Sequence, residues 1–139
     1  MSQRAAGPFD VKLAPQPLAA DSSGEGAARG RMSIDKHYHG DLEASAQGEM
    51  LTAMTATQGS AGYVAIEKVT GTLGGKSGTF ALQHNATMTR GEPYLNIIVV
   101  PDSGTGELAG ISGAMKIVIA EGGKHFYEFD YSLPGAPAG

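Results

Sequence analysis

Residues 63–89 read YVAIEKVTGTLGGKSGTFALQHNATMT, and this stretch decides the fold prediction. Residues Tyr63–Thr70 are rich in β-branched and aromatic residues, and within Gly78–Thr89 the residues Phe80, Leu82, His84, Ala86 and Met88 fall on one face at the period of two that is typical of a strand. The glycine-rich segment between them is too short for a parallel crossover, which needs about a dozen residues or more. The stretch therefore predicts two antiparallel strands joined by a tight turn.

Strand candidates of the same kind occupy most of the remaining chain. They are rich in β-branched or aromatic residues, end at clusters of Gly, Pro, Asp or Ser, and comprise Phe9–Leu13, Met32–Leu42, Glu49–Thr57, Tyr94–Val100, Ala114–Ala120 and Lys124–Leu133. Residues Ala14–Arg29 are predicted to form a long loop, and no segment shows a convincing helical period. A series of about eight strands with short connections predicts an all-β, antiparallel barrel or sandwich.

The length and composition limit the class of protein. A chain of 139 residues suits one domain, predicted over 9–133, with flexible ends at 1–8 and 134–139. The absence of cysteine excludes disulfides and a thiol nucleophile. With a net charge of −4 and no cluster of basic residues, neither nucleic acid nor a membrane surface is an expected partner. The N-terminal residues lack the apolar core of a signal peptide, so we expect a cytoplasmic protein.

One sequence pattern occurs twice. Residues Thr70–Phe80 and Thr105–Met115 share T-G-x-L-x-G-x-S-G at a separation of 35 residues. We expect each copy to form a tight connection whose leucine, Leu73 or Leu108, packs into one end of the barrel. The alternative is a chance similarity between two glycine-rich hairpins.

The second copy carries a resemblance to known families. The segments GTGELAGISG (104–113) and KHFYEFDYSL (124–133) are similar to the closing third of allene oxide cyclases and dirigent proteins, with Leu108 where those families have Phe. The whole chain resembles more closely a bacterial family of uncharacterised proteins, domain of unknown function 3224, through HGDLE (39–43), GEML (48–51), GSAGYVAIE (59–67), FALQH (80–84) and VVPDSGTG (99–106). The resemblance implies a calycin-like, allene-oxide-cyclase-type barrel of eight strands, often paired as a homodimer. It implies no known activity and supplies no catalytic residue.

A possible metal site lies in the predicted strand Met32–Leu42 and just beyond it. The residues His37, His39 and Glu43 have the H-x-H-x3-E spacing with which cupins hold a metal, and on one strand they would project to one face. Imidazole and carboxylate ligands would suit Zn, Fe, Ni or Mn. The downstream H-x3-N of the cupins is missing, so a solvated polar face is the alternative, and no cofactor is predicted.

A possible catalytic cavity depends on three strand faces pointing inward. In that arrangement Glu67, His84 and Tyr127 would meet inside the barrel. Desolvation would raise the pKa of a buried carboxylate, so that Glu67 could act as a base near neutrality while His84 relays a proton. The predicted catalytic residues are therefore Glu67 and His84, and the predicted ligand-binding residues are Tyr63, Tyr127, Phe129 and Phe80. The alternative is a structural Glu–His or Glu–Lys pair on the outer wall.

Three functions fit these residues. The first is a barrel that binds a hydrophobic small molecule in its interior. The second is a cofactor-free isomerase or cyclase that uses the cavity carboxylate or histidine. The third is a structural or oligomerising barrel with a filled core. A void with Glu67 or His84 on its wall would favour the isomerase or cyclase. An entirely apolar void would favour the ligand-binding barrel, and a barrel without a void would favour the structural role.

Overall fold

Eight antiparallel strands close into a barrel, as predicted. The computed structural model describes residues 2–18 and 24–134. The strands are β1 (Gln3–Gln16), β2 (Ala28–Tyr38), β3 (Leu42–Met54), β4 (Ala61–Leu73), β5 (Lys76–Thr89), β6 (Glu92–Val99), β7 (Ser112–Ile119) and β8 (His125–Ser132). Each strand pairs with the next, and β8 pairs with β1. In the described parts of the chain, no helix is long and apolar enough to cross a membrane.

The N-terminus differs from the prediction of a flexible segment. Strand β1 begins at Gln3 and pairs with β8 from Gln3 opposite Tyr131 to Phe9 opposite His125. The short residues Ala5 and Gly7 give little apolar signal in sequence, yet both lie where close approach is needed. Ala5 is buried, and a Cβ on Gly7 would clash with the carbonyl oxygen of His39.

The other predicted termini and loops are only partly described. Strand β1 continues to Gln16 and β2 begins at Ala28, so the loop predicted over Ala14–Arg29 is too long at both ends. Residues 19–23 of that loop lie outside the described residues. The predicted C-terminal tail, 134–139, also lies outside them except for Pro134.

The hairpin between β2 and β3 lies earlier than predicted. Strand β2 ends at Tyr38, and Gly40 turns the chain with a φ of 98° that favours glycine. Strand β3 then starts at Leu42, seven residues before its predicted start. The sequence does not predict this early start, because small residues such as Ala44, Ala46 and Gly48 pair with β4 but give no strong apolar pattern.

The two copies of the repeated pattern close one end of the barrel. As predicted, Leu73 and Leu108 are buried in the core. The first copy forms the β4–β5 turn, and the second contains a short 3-10 turn at Gly106–Leu108. The copies bind each other directly: the amide of Thr105 donates to the carbonyl of Thr79 at 2.8 Å, and the amide of Ser77 donates to the Glu107 carboxylate at 3.0 Å.

Candidate functional site

A buried carboxylate lies at the centre of the barrel. Glu67 is completely buried, since alternate residues of β4 point inward and place it between Ala65 and Val69. Its Oε2 atom accepts hydrogen bonds from Lys36 Nζ at 2.8 Å and from His84 Nε2 at 2.7 Å. Its Oε1 atom accepts from the Tyr38 hydroxyl. We call Lys36, Tyr38, Glu67 and His84 the charge network.

Small residues on β3 make the charge network possible. Lys36 lies on β2 and Glu67 on β4, with β3 between them, so the side chains must bridge about 10 Å. The intervening inward positions of β3 hold Ala46, opposite Lys36, and Gly48, opposite Glu67. Neither presents a side chain large enough to keep the ammonium from the carboxylate. His84 reaches Glu67 from β5, where it pairs with Ala65.

The charge network keeps Glu67 ionised. Burial is the largest single influence and raises its pKa, but the His84 hydrogen bond and the Lys36 charge more than offset it, lowering the pKa from 4.5 to about 2. The raised pKa predicted from sequence is therefore wrong, because the positive and hydrogen-bonding partners outweigh desolvation. Burial, and then the charge of Glu67, raise the pKa of Tyr38, which therefore keeps its proton.

An apolar pocket opens directly above the charge network. It has a volume of about 240 Å³ and lies at the end of the barrel opposite the repeated pattern. We call it the mouth pocket; its lining residues are Phe9, Val11, Leu13, Ile34, Lys36, Met50, Tyr63, His84, Leu95, Ile117, Ile119 and His125. Lys36 and His84 thus face both the pocket and Glu67, whereas Glu67 itself is covered.

Lys36 and His84 retain hydrogen-bonding capacity. The Lys36 ammonium has three protons, of which Glu67 and Tyr38 accept two, the second at 3.3 Å from the Tyr38 hydroxyl. His84 uses Nε2 for Glu67, and its Nδ1 has no hydrogen-bond partner among the described residues. No fully buried side-chain nitrogen or oxygen in that part of the chain lacks a partner, so Nδ1 keeps a small exposed area although His84 as a whole is only 4% exposed.

The predicted aromatic ligand-binding residues divide into two groups. Tyr63 lines the mouth pocket, with its ring centroid 6.4 Å from that of His84. Phe80, Tyr127 and Phe129 instead fill the core, where Phe80 stacks on Phe129 at 5.7 Å between centroids. Tyr127 also does not join Glu67 and His84 as predicted, because its hydroxyl donates to the His39 carbonyl at 2.7 Å.

The predicted metal ligands do not form a site. The turn at Gly40 ends β2, so that His37, His39 and Glu43 do not share one strand face. His39 lies at the surface, 3.4 Å from Asp10 and 3.5 Å from Glu43, and His37 is not part of this group. Among the described residues no cluster of three His, Asp or Glu side chains could hold a metal ion.

Sequence analysis missed Lys36 and Tyr38 as members of the site. The signal was present in the alternation of β2, because Lys36 has the same parity as the apolar Ile34 and the aromatic Tyr38. A lysine on a buried face requires a negative partner, and Glu67 is the acidic residue on the inward face of β4.

Three larger depressions lie outside the barrel mouth, of which the smallest, about 470 Å³, lies on the outer face around Leu51, Gly62 and Thr87. One, of about 530 Å³, lies between residues 8–11 and 122–125. Another, of about 520 Å³, runs along the outer face at Leu51, Val64 and Ile66 and reaches His84. We favour the smaller mouth pocket because it combines apolar walls with both Lys36 and His84.

Fold and site together define a small antiparallel β-barrel with one packed half and an apolar mouth above a buried charge network. The chain belongs to the family described as "Protein of unknown function (DUF3224)", which matches residues 5–131.

A solved structure of a protein with unknown function from the DUF3224 family of Shewanella oneidensis MR-1 is similar to this chain. The sequence identity is 51%, the alignment covers 98% of this chain and 100% of that chain, and the TM-score is 0.91. None of the curated proteins matches the chain.

Proposed function

We propose that the protein binds a small apolar molecule in the mouth pocket, with a hydrogen-bond-accepting group of the ligand directed at Lys36 and His84. The observation that carries this proposal is the combination of apolar walls with two polar side chains, Lys36 and His84, in the lining of one pocket. Pockets that bind small molecules have this composition, with a few polar groups that fix orientation.

The size of the mouth pocket limits the ligand. Its volume of about 240 Å³ is below the range of roughly 300–1,000 Å³ typical of drug-sized ligands. The side chains at the rim extend the apolar surface outward, since Leu13, Leu95 and Ile119 are all substantially exposed. A ligand of one ring or a short branched chain fits these dimensions, and burial of its apolar surface contributes about 25 cal/mol per Å².

The charge balance favours a neutral polar group on the ligand. Lys36 and Glu67 form an ion pair, and the Tyr38 hydroxyl keeps its proton. With a neutral imidazole on His84, the charge network carries no net charge. A ketone or aldehyde oxygen could accept the remaining proton of Lys36 without adding an unpaired charge to a partly desolvated site.

Four compounds with related skeletons test this proposal by thermal unfolding: propylbenzene, phenylacetone, 1-phenylpropan-2-ol and phenylacetate. We expect phenylacetone to raise the melting temperature most, because its ketone oxygen can accept a hydrogen bond from Lys36 without adding a charge to the site. A ligand at a hundredfold excess over Kd stabilises the native state by about 2.7 kcal/mol. A larger shift with phenylacetate would show that the site selects an anion. The absence of a shift with all four would contradict the proposal.

A pair of variants locates the binding site. Ile119 lines the mouth pocket and is 66% exposed, whereas its neighbour Val118 is 43% exposed and does not line that pocket. The substitution Ile119→Arg should place a guanidinium in the mouth and remove the ligand-induced shift. Val118→Arg adds the same charge to the outer face and should leave the shift unchanged. Equal effects of the two substitutions would place the ligand elsewhere.

A further inference from the structure

His84 has one ring nitrogen fixed by Glu67 and the other without a hydrogen-bond partner among the described residues. The ionised Glu67 carboxylate can only accept hydrogen bonds, so in a neutral imidazole the Nε2 atom, 2.7 Å from Glu67 Oε2, carries the proton. The tautomer thus defined leaves a lone pair on Nδ1, which has no partner in the described part of the chain. A carboxylate that orients one imidazole nitrogen so that the other can take a proton is the arrangement of a general base.

Lys36 brings a positive charge to the same pocket. Its side chain is buried, and its ammonium lies above the ring of Phe9, 5.2 Å from the centroid. The contacts with Glu67 and Tyr38 hold the ammonium in place before any ligand binds. A fixed cation in a water-poor site stabilises negative charge that develops on a nearby oxygen.

From these contacts we propose that the mouth pocket is a proton-transfer centre for small apolar carbonyl compounds. His84 Nδ1 is the base, Lys36 stabilises the enolate oxygen, and Glu67 is a positioning residue. The proposal rests on the binding function above and names the substrate class of that same site. Glu67 cannot be the base itself, because it is completely buried and already accepts three hydrogen bonds.

The proposed step balances without a cofactor. Nδ1 takes a proton from the carbon next to the carbonyl group, the C–H electron pair becomes the C=C bond, and the carbonyl π pair moves to oxygen beside Lys36. The imidazolium then returns a proton. Once the imidazolium has exchanged its Nδ1 proton with solvent, return to the same carbon places solvent hydrogen there, and return to the γ carbon of a β,γ-unsaturated ketone moves the double bond into conjugation.

Deuterium exchange into phenylacetone, followed by ¹H NMR in D₂O, measures this step. General-base catalysis typically contributes 10²–10⁴-fold, so we expect the protein to exchange the methylene protons at least tenfold faster than buffer that contains an equal concentration of free imidazole. His84→Gln should reduce exchange to the buffer rate. The matched control is His37→Gln, since His37 lies on the exposed face of β2 and should leave the rate unchanged.

Ile119→Arg provides a second test, because it closes the mouth without altering the charge network and should also abolish exchange. The role of Glu67 is tested by Glu67→Gln, which should lower the exchange rate of bound ketone at least tenfold while the Kd for phenylacetone changes less than threefold. A purely structural carboxylate would alter both quantities together or neither.

The outcomes separate the two proposals. Phenylacetone that binds, as shown by saturation transfer in the same sample, but exchanges no faster than in buffer would overturn the proton-transfer proposal and leave the binding function standing. Exchange that persists in His84→Gln would likewise overturn it. If phenylacetone does not bind at all, both proposals fail.

Discussion

The ionised carboxylate of Glu67 determines the chemistry of the barrel interior at the scale of single residues. A buried charge is costly unless it is paired and hydrogen-bonded, and Glu67 has three donors. Strand alternation in the sequence showed which residues share a face with Glu67 and with His84, but the structure was needed to show that these faces point inward. The sequence also did not give the charge state of the carboxylate, because that state depends on Lys36, which reaches across an intervening strand.

Removal of Lys36 should be strongly destabilising. The substitution Lys36→Met leaves the Glu67 charge buried without the ammonium that pairs with it, and the loss of one member of a buried pair typically costs about 3–5 kcal/mol in the free energy of unfolding. Lys68→Met is the matched control, since Lys68 is exposed on the neighbouring position of β4 and should change stability by about 0.5 kcal/mol or less. Urea unfolding measures both, and similar losses would contradict this account of the charge network.

The pKa of Glu67 predicts how stability depends on pH. Because the folded state lowers this pKa from 4.5 to about 2, the carboxylate stabilises the protein fully above about pH 4.5, and the contribution disappears as the pH falls toward 2. The difference in unfolding free energy between the wild type and Glu67→Gln should therefore shrink by a few kcal/mol between pH 6 and pH 2.5. A constant difference over that range would show that the pKa is not lowered.

Small residues decide how the strands fit together at the scale of the secondary-structure elements. Strand β3 carries Ala46 and Gly48 on its inward face between Lys36 and Glu67. The sequence showed which residues of β4, β5 and β8 share a face, but it left open which of these faces point inward. It did not predict the end of β2, because the alternation continues through the turn at Gly40, nor the first half of β3, whose small residues fit by shape.

The fit between β3 and β4 can be tested with two glycines. A Cβ on Gly48 would clash with the carbonyl oxygen of Ile66, so Gly48→Ala should destabilise the protein by about 1–3 kcal/mol. On β4, a Cβ on Gly62 would lie 3.4 Å from the Ala86 carbonyl oxygen, an ordinary contact, so Gly62→Ala should change stability little. Urea unfolding measures the loss of stability in each variant, and equal losses would contradict this explanation of the fit.

The whole molecule has a packed end and an open end. The repeated pattern closes one end around Leu73 and Leu108, and the mouth pocket occupies the other. The seam between β6 and β7 has only two paired positions, Ile97 with Met115 and Ile98 with Ala114. Beyond them toward the mouth, Leu95 and Ile117 line the pocket instead of pairing. The likeness to allene oxide cyclases, the homodimer and the cytoplasmic location stay predictions.

The short seam predicts uneven protection from hydrogen exchange. Backbone amides of residues 94–96 and 116–119 that face the seam should exchange faster than the amides of β3 and β4, which are paired over their full lengths. Site-resolved exchange monitored by NMR measures the difference. Equal protection on both sides of the barrel would show that β6 and β7 are joined near the mouth.

The most direct test of the central claim is a methyl-resolved NMR titration of the protein with phenylacetone. We expect shifts in the signals of the mouth pocket, namely Leu13, Leu95, Ile117 and Ile119. The signals of Leu73 and Leu108 at the closed end and of Leu51 and Val64 on the outer face should not shift. Shifts confined to the outer face, or no shifts at all, would contradict the proposal that the barrel mouth is a binding site.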